Sequence, residues 1–186
     1  MGTIRHHFKH SVAAISLIVT FSLPFGVIAA ETEDLLQQLQ GADAAEAARI
    51  ERDIIRAWSK SGSAAMDLLL KRGRDALDID NLDAAIEHLT ALTDHAPEFA
   101  EGFHTRAMAY FKADLIGPAL GDLETVLELN PQHFGAMRGL AVVFESLGDE
   151  ARAFEAYEMV LRLHPHDEEA QKGVERLRTR VQGQEL

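Results

Sequence analysis

The chain has 186 residues, no cysteine, and a formal net charge of −12 from 18 basic and 30 acidic side chains. Without cysteine it forms no disulfide, and thiol catalysis and cysteine-ligated metal sites are excluded. The acidic balance repels nucleic acid and anionic lipid at long range, so we expect neither as a partner. The length suits one ordinary domain.

The first thirty residues have the layout of a secretory signal peptide. Arg5 and Lys9 precede an apolar run over 12–23, Pro24 and Gly26 interrupt it, and two alanines follow at 29–30. We therefore predict that segment 1–30 is cleaved and that the mature protein is periplasmic. An uncleaved membrane anchor is the alternative, because the stretch over 11–30 is long enough to span a bilayer. Cleavage would leave 16 basic and 30 acidic side chains, a formal charge of −14.

Residues 31–62 predict an irregular N-terminal helical cap. A short helix over 33–40 ends at Gly41, and Asp43 with Glu46 forms a capping pattern for a second helix. Apolar residues share one face of that second helix: Ala47, Ile50, Ile54 and Ala57 or Trp58. The run over 59–63 is a linker, and Ser63 is expected to cap the next helix. We expect this helix pair to cover the first of the units that follow, with Trp58 as an anchor of its core.

Pro97, Pro131 and Pro165 lie 34 residues apart and close three blocks, 66–99, 100–133 and 134–167. With each proline numbered 32, positions 4, 8 and 11 share one face of a first helix, and positions 20, 24 and 27 share a face of a second. Position 8 is glycine or alanine, and position 20 is always alanine, so the two helices can approach closely. A fixed period of this length predicts stacked helical hairpins.

This pattern resembles the tetratricopeptide repeat (TPR) family, whose unit is a helix–turn–helix of 34 residues. The resemblance covers 66–167, with two departures. Leu69, Phe103 and Met137 replace the family's tryptophan at position 4, and Arg72 and Arg106 replace its leucine at position 7. The resemblance implies an all-α, right-handed solenoid of three TPR hairpins between N- and C-terminal helical caps. It also implies a protein that offers a surface to other molecules, which the signal peptide-like N-terminus places outside the cytoplasm of a bacterium.

The segment after the third block predicts a capping helix over 168–181. Asp167 suits its N-cap, and the acidic residues at 168–169 suit its first turn. One apolar stripe faces the repeats, formed by Ala170, Val174, Leu177 and Val181. Residues 182–186 are expected to be a frayed tail.

The TPR resemblance implies that the first helices of the hairpins line a concave groove. Their positions 5, 9, 12 and 13 lie apart from the packing face and would point into that groove. Apolar anchors and cations there predict binding of an extended or helical protein segment that carries a carboxylate. The predicted groove residues are Arg74, Leu77, His104, Met108, Phe111, Lys112, Arg138 and Val142. The lysine and asparagine clamp of one TPR subclass is absent.

We find none of the common catalytic, phosphate-binding or zinc-binding motifs in the sequence. The sequence has no phosphate-binding loop, nucleophile elbow or His-Glu-x-x-His run, so we predict neither an enzyme nor a cofactor. His164, His166 and Asp167 resemble a short metal cluster, but they fall on an inter-repeat turn, and we predict no metal site. The predicted function is a periplasmic scaffold or adaptor for a protein or peptide segment. The alternatives are a membrane-anchored accessory subunit of an envelope complex and, less favoured, an enzyme or small-ligand carrier with a deep closed pocket.

Overall fold

The computed structural model describes the backbone of residues 25–184 and the side chains of residues 31–181. The predicted signal peptide therefore falls mainly on residues outside this range, as do the last two residues of the predicted tail. Within the described backbone the chain forms nine helices and no strand. They are α1 Phe25–Gly41, α2 Ala44–Trp58, α3 Ala64–Asp78, α4 Leu82–His95, α5 Ala100–Lys112, α6 Ile116–Leu129, α7 Phe134–Ser146, α8 Glu150–Leu163 and α9 Glu168–Gln184.

Three hairpins, α3–α4, α5–α6 and α7–α8, stack in the order of the three 34-residue blocks. Each hairpin turns through one residue in the left-handed region at the same position of its block. These residues are Asp80 and Asp114, both at φ 59°, and Gly148 at φ 76°. Glycine adopts this conformation without strain, and aspartate is among the few other residues that tolerate it. The turn chemistry of the sequence therefore sets the repeat geometry.

Close packing inside the hairpins follows the small residues of the repeat. Ala85, Ala119 and Ala153, all at position 20, are completely buried. A Cβ added to Gly73 at position 8 would lie only 2.5 Å from Leu89 Cγ. Side chains larger than these would push the paired helices apart.

The arginine at position 7 of the second hairpin has a structural role. Arg106 donates from Nε and Nη2 to Asp122 of α6 at 2.7 and 2.8 Å, and from Nη1 to Thr93 of α4 at 2.6 Å. Its guanidinium also lies over the rings of Phe103 and Tyr110. The hydrogen bonds to Asp122 raise the pKa of Arg106 above its usual value despite partial burial. One side chain thus ties α4, α5 and α6 together.

The N-terminal helices do not cover the first hairpin, so that prediction is wrong. Leu36, Leu39, Ile50 and Ile54 are buried in one cluster with residues of α7, α8 and α9, and α1 contacts α8. The Trp58 ring at the end of α2 stacks on the ring of His133, just before α7, with the ring centroids 4.4 Å apart. The apolar face of α2 was read correctly, but its partner is the third hairpin.

The start of α1 and the N-caps of α2 and α3 agree only in part with the sequence prediction. Helix α1 starts at Phe25 rather than near residue 33. Among its described side chains, the first buried one is Thr32. The Asp43 side chain caps α2 by accepting from Glu46 N at 2.9 Å, as predicted. Ser63 occupies the N-cap of α3 but makes no side-chain capping bond. Instead, Asp67 accepts from the backbone N and Oγ of Ser61 in the linker.

Helix α9 packs on α8 and closes the array. Asp167 caps it by accepting from Ala170 N at 2.9 Å, and Ala170, Val174 and Leu177 are buried as predicted. The helix continues to Gln184, past the expected end near residue 181. None of the helices in the described range is both long enough and apolar enough to span a bilayer.

Candidate functional site

An open trough lies between α5 and α7, on the first helices of the second and third hairpins. It encloses a cavity of about 350 Å³. Six of the eight predicted groove residues line it, although they come from two hairpins: His104, Met108, Phe111, Lys112, Arg138 and Val142. Among the described residues, those lining this cavity include none from α1 or α2, so the N-terminal hairpin leaves the trough accessible.

The walls of the trough are mainly apolar. Phe111 and Val142 are partly buried against the hairpin cores, whereas Met108 is 51% exposed. Gly135 and Gly139 also line the trough, and a Cβ added to them would lie 3.2 Å from His104 Cε1 and 2.9 Å from Leu123 Cδ2, respectively, so α7 packs closely there. An exposed methionine beside a partly buried phenylalanine is a suitable contact for an apolar side chain of another molecule.

Two predicted groove residues lie elsewhere. Leu77 is only 8% exposed and packs in the core of the first hairpin, so it is not available to a partner. Arg74 hydrogen-bonds with Glu101 and donates to Ser59 Oγ at 3.0 Å, which holds it against the linker after α2. Position 12 faces the core in the first hairpin, where the helical spacing predicted the groove.

The cations of the trough are already paired within the chain. Lys112 lies 2.8 Å from Asp80 Oδ1, and Arg138 hydrogen-bonds with Asp167 and lies 3.6 Å from Glu169 Oε2. The carboxylates of Asp80 and Glu169 remain 74% and 56% exposed. A carboxylate on a partner would therefore compete with these groups, and the residual charge on the rim is acidic.

A buried polar cluster lies beside the trough, under Trp58. Glu101 is 5% exposed and binds Arg74 through Oε1 and His133 Nε2 through Oε2, the latter at 3.1 Å. Burial alone would raise the pKa of Glu101. The hydrogen bond from His133 and the nearby imidazole of His104, whose Nδ1 lies 3.7 Å from Oε1, outweigh burial and hold the pKa of Glu101 well below its usual range. Glu101 is thus a stable anion that joins α5 to Arg74 of the first hairpin and to His133 at the start of α7.

His133 is held neutral and in one tautomer. Burial lowers its pKa, and its Nδ1 accepts from Ala136 N at 3.1 Å, capping α7. The hydrogen is consequently on Nε2, which donates to Glu101. The Nε2 nitrogen therefore has no free lone pair for a metal, although Glu101, His104 and His133 bring ligand atoms within 4.8 Å of one another. This cluster is a structural junction. Helical spacing gave no signal for it, because Glu101 lies in α5 and His133 lies at the opposite end of the same block, at the start of α7.

The chain matches the tetratricopeptide repeat family over residues 104–168. It is also 30% identical over 141 residues to a TPR repeat-containing protein of Rhizobium etli, covering 76% of this chain and 69% of that protein. The chain therefore belongs to the TPR family.

Solved structures show the same fold. The first TPR domain of Spaghetti (RPAP3), bound to an HSP90 peptide, superimposes with a TM-score of 0.61 at 24% identity, covering 64% of this chain and 94% of that one. The prediction of an all-α TPR solenoid is confirmed. The TPR fold is mostly non-catalytic but occurs in enzymes. The O-GlcNAc transferase of Thermobaculum terrenum matches with a TM-score of 0.58 at 20% identity, over 61% of this chain and 22% of the transferase.

Proposed function

We propose that this protein is an exported, non-enzymatic scaffold that holds a segment of a partner protein in the trough between α5 and α7. The observation that carries the proposal is the convergence of six predicted groove side chains on one cavity of about 350 Å³. The trough is open to solvent, and the buried Glu101 and His133 are bonded to each other and to the chain. These features support recognition rather than catalysis.

The contacts of the trough define the chemistry of the segment. Apolar side chains would pack on Met108, Phe111 and Val142, since such central anchors supply most of the binding energy at interfaces. The exposed carboxylates of Asp80 and Glu169 favour basic residues next to these anchors. The proposed ligand is therefore an apolar segment with basic flanks, which revises the carboxylate-bearing peptide expected from the sequence.

Export to the periplasm is part of the proposal. The basic start, the apolar run over 12–23 and the alanines at 29–30 support cleavage. The buried residues of α1 that the structure describes, Thr32, Leu36 and Leu39, all follow the proposed cleavage site. Cleavage would therefore leave these packing contacts of α1 in place.

A random peptide library displayed on phage and selected on the mature protein tests the trough. We expect enrichment of apolar peptides with lysine or arginine, whose affinities are then measured by fluorescence anisotropy. Met108→Asp should weaken their binding by about tenfold or more, because it places a charge among the anchors. Leu147→Asp is the matched control, since Leu147 is 54% exposed but lies at the end of α7 and does not line the trough. Equal binding by Met108→Asp would rule out the trough as the site.

The location is tested separately with the native protein. Fractionation should place it in the periplasmic extract, and intact mass should be lower than that of the full chain by about 3 kDa. A full-length protein in the membrane fraction would instead support the anchored accessory subunit.

A further inference from the structure

A second, polar cavity of about 460 Å³ lies where α2 meets the turn before α9. Glu51 of α2, Arg138 of α7, and His164 and Asp167 of the turn line it. The sequence predicted no metal site at this turn, because its histidines fall on an inter-repeat turn. The structure adds a carboxylate from the N-terminal hairpin, which packs on this turn rather than on the first hairpin.

His164 is the unexplained group in this cavity. Its side chain is 4% exposed, and its Nδ1 atom is buried without a hydrogen-bond partner. The Asp167 Oδ2 atom is 3.7 Å from Nδ1, too far for a hydrogen bond. An imidazole nitrogen that is buried without a hydrogen-bond partner is available to bind a cation.

We propose that Glu51, His164 and Asp167 form a binding site for a divalent transition-metal ion of the Zn²⁺ type. One ligand atom from each of the three lies within 4.8 Å of the other two. Atoms that bind one zinc ion at about 2 Å lie roughly 3–4 Å apart, so small side-chain rotations close the site. One imidazole and two carboxylates are ligands that such ions accept, and water completes the coordination.

In this structure the proposed carboxylate ligands contact Arg138. Its guanidinium hydrogen-bonds with Asp167 and lies 4.0 Å from Glu51 Oε1. A bound ion would take over Asp167 and repel the guanidinium, which also lines the trough. Metal binding therefore competes with Arg138, and this competition distinguishes the site from adventitious coordination by surface histidines.

Zn²⁺ titration of the metal-free mature protein, against a chromophoric chelator, tests the site. We expect saturable binding of one equivalent. Glu51→Gln and His164→Ala should each weaken it by about tenfold or more, and Arg138→Gln should tighten it several-fold. His95→Ala is the control, since His95 is exposed and outside this cavity, and it should bind as the unmodified protein does.

Circular dichroism checks that each variant is folded. Glu51, whose side chain is 26% exposed, gives a second test if the buried His164 proves essential for folding. Absence of saturable binding would overturn the proposal. So would binding that Glu51→Gln leaves unchanged, or that Arg138→Gln fails to tighten.

Discussion

Removal of one partner from the Arg106–Asp122 pair should destabilise the protein far more than removal of both. Asp122→Ala deletes the acceptors of two hydrogen bonds, at 2.7 and 2.8 Å, from a guanidinium whose side chain is only 14% exposed. A hydrogen bond to a charged group contributes about 1.5–3 kcal/mol. Because Arg106 keeps its bond to Thr93 and some access to water, we expect a loss of about 3 kcal/mol. Arg106→Leu leaves the buried Asp122 unpaired and should cost a similar amount.

The third hairpin supplies the template for the double variant. Its positions equivalent to Arg106 and Asp122 hold Leu140 and Ala156, the latter 6% exposed. Arg106→Leu with Asp122→Ala therefore reproduces a pair that this fold already packs. Replacement of a buried ion pair by apolar residues is often neutral, so the double variant should cost at least about 2 kcal/mol less than either single variant.

Urea unfolding followed by circular dichroism at 222 nm measures these free energies. Arg72→Leu is the control, because Arg72 occupies the same position of the first hairpin but is exposed, and its change should stay within about 0.5 kcal/mol. Additive losses in the double variant, or single losses below about 1 kcal/mol, would refute the assignment of a coupled, buried pair.

Three further expectations concern the hairpin packing, the N-terminal contact and pH. Gly121→Ala should stabilise the protein by about 0.5–1 kcal/mol, because no atom lies within 4 Å of the added Cβ. Gly173→Ala should destabilise the protein, because the added Cβ would lie 2.4 Å from Tyr157. Thermal unfolding compares the stabilities of the two variants. Trp58→Ala should cost about 2 kcal/mol and speed proteolysis in the 59–63 linker, and unchanged cleavage would contradict the stacking role. The pKa of His133 is lowered in the folded state, so the unfolded state binds more protons and stability is lost as pH falls below about 6.5. Urea midpoints between about pH 7.5 and about pH 5.5 measure this loss, which His133→Asn should reduce.

The repeats could be predicted in detail because their chemistry is local and recurs. The spacing of the alanines at position 20, the turn residues and the prolines specified both helices of each hairpin. The arginine at position 7 was noted only as a departure, yet its partner was also accessible: Arg106 with Asp122 and Leu140 with Ala156 occupy the same two positions of neighbouring blocks. Comparison of these pairs across blocks would have predicted the ion pair.

The position of the N-terminal hairpin could not be predicted in this way. The stripe of Ile50 and Ile54 shows that α2 needs an apolar partner, but amphipathicity does not say which surface provides it. The same limit explains the candidate site. Helical spacing placed Met108 and Phe111 on the trough, but it gave no account of Asp167 and Glu169 as partners of Arg138, because that pairing joins separate elements.

The packing of α1 and α2 on the third hairpin changes how the array should come apart. A linear stack of repeats can unravel from either end, one unit at a time, because each unit touches only its neighbours. Here α1 and α2 pack on α7, α8 and α9, so the chain between them forms a closed loop. Unfolding should then be concerted, and folding should be slower than for an open stack, because a long loop must close before the last contacts form.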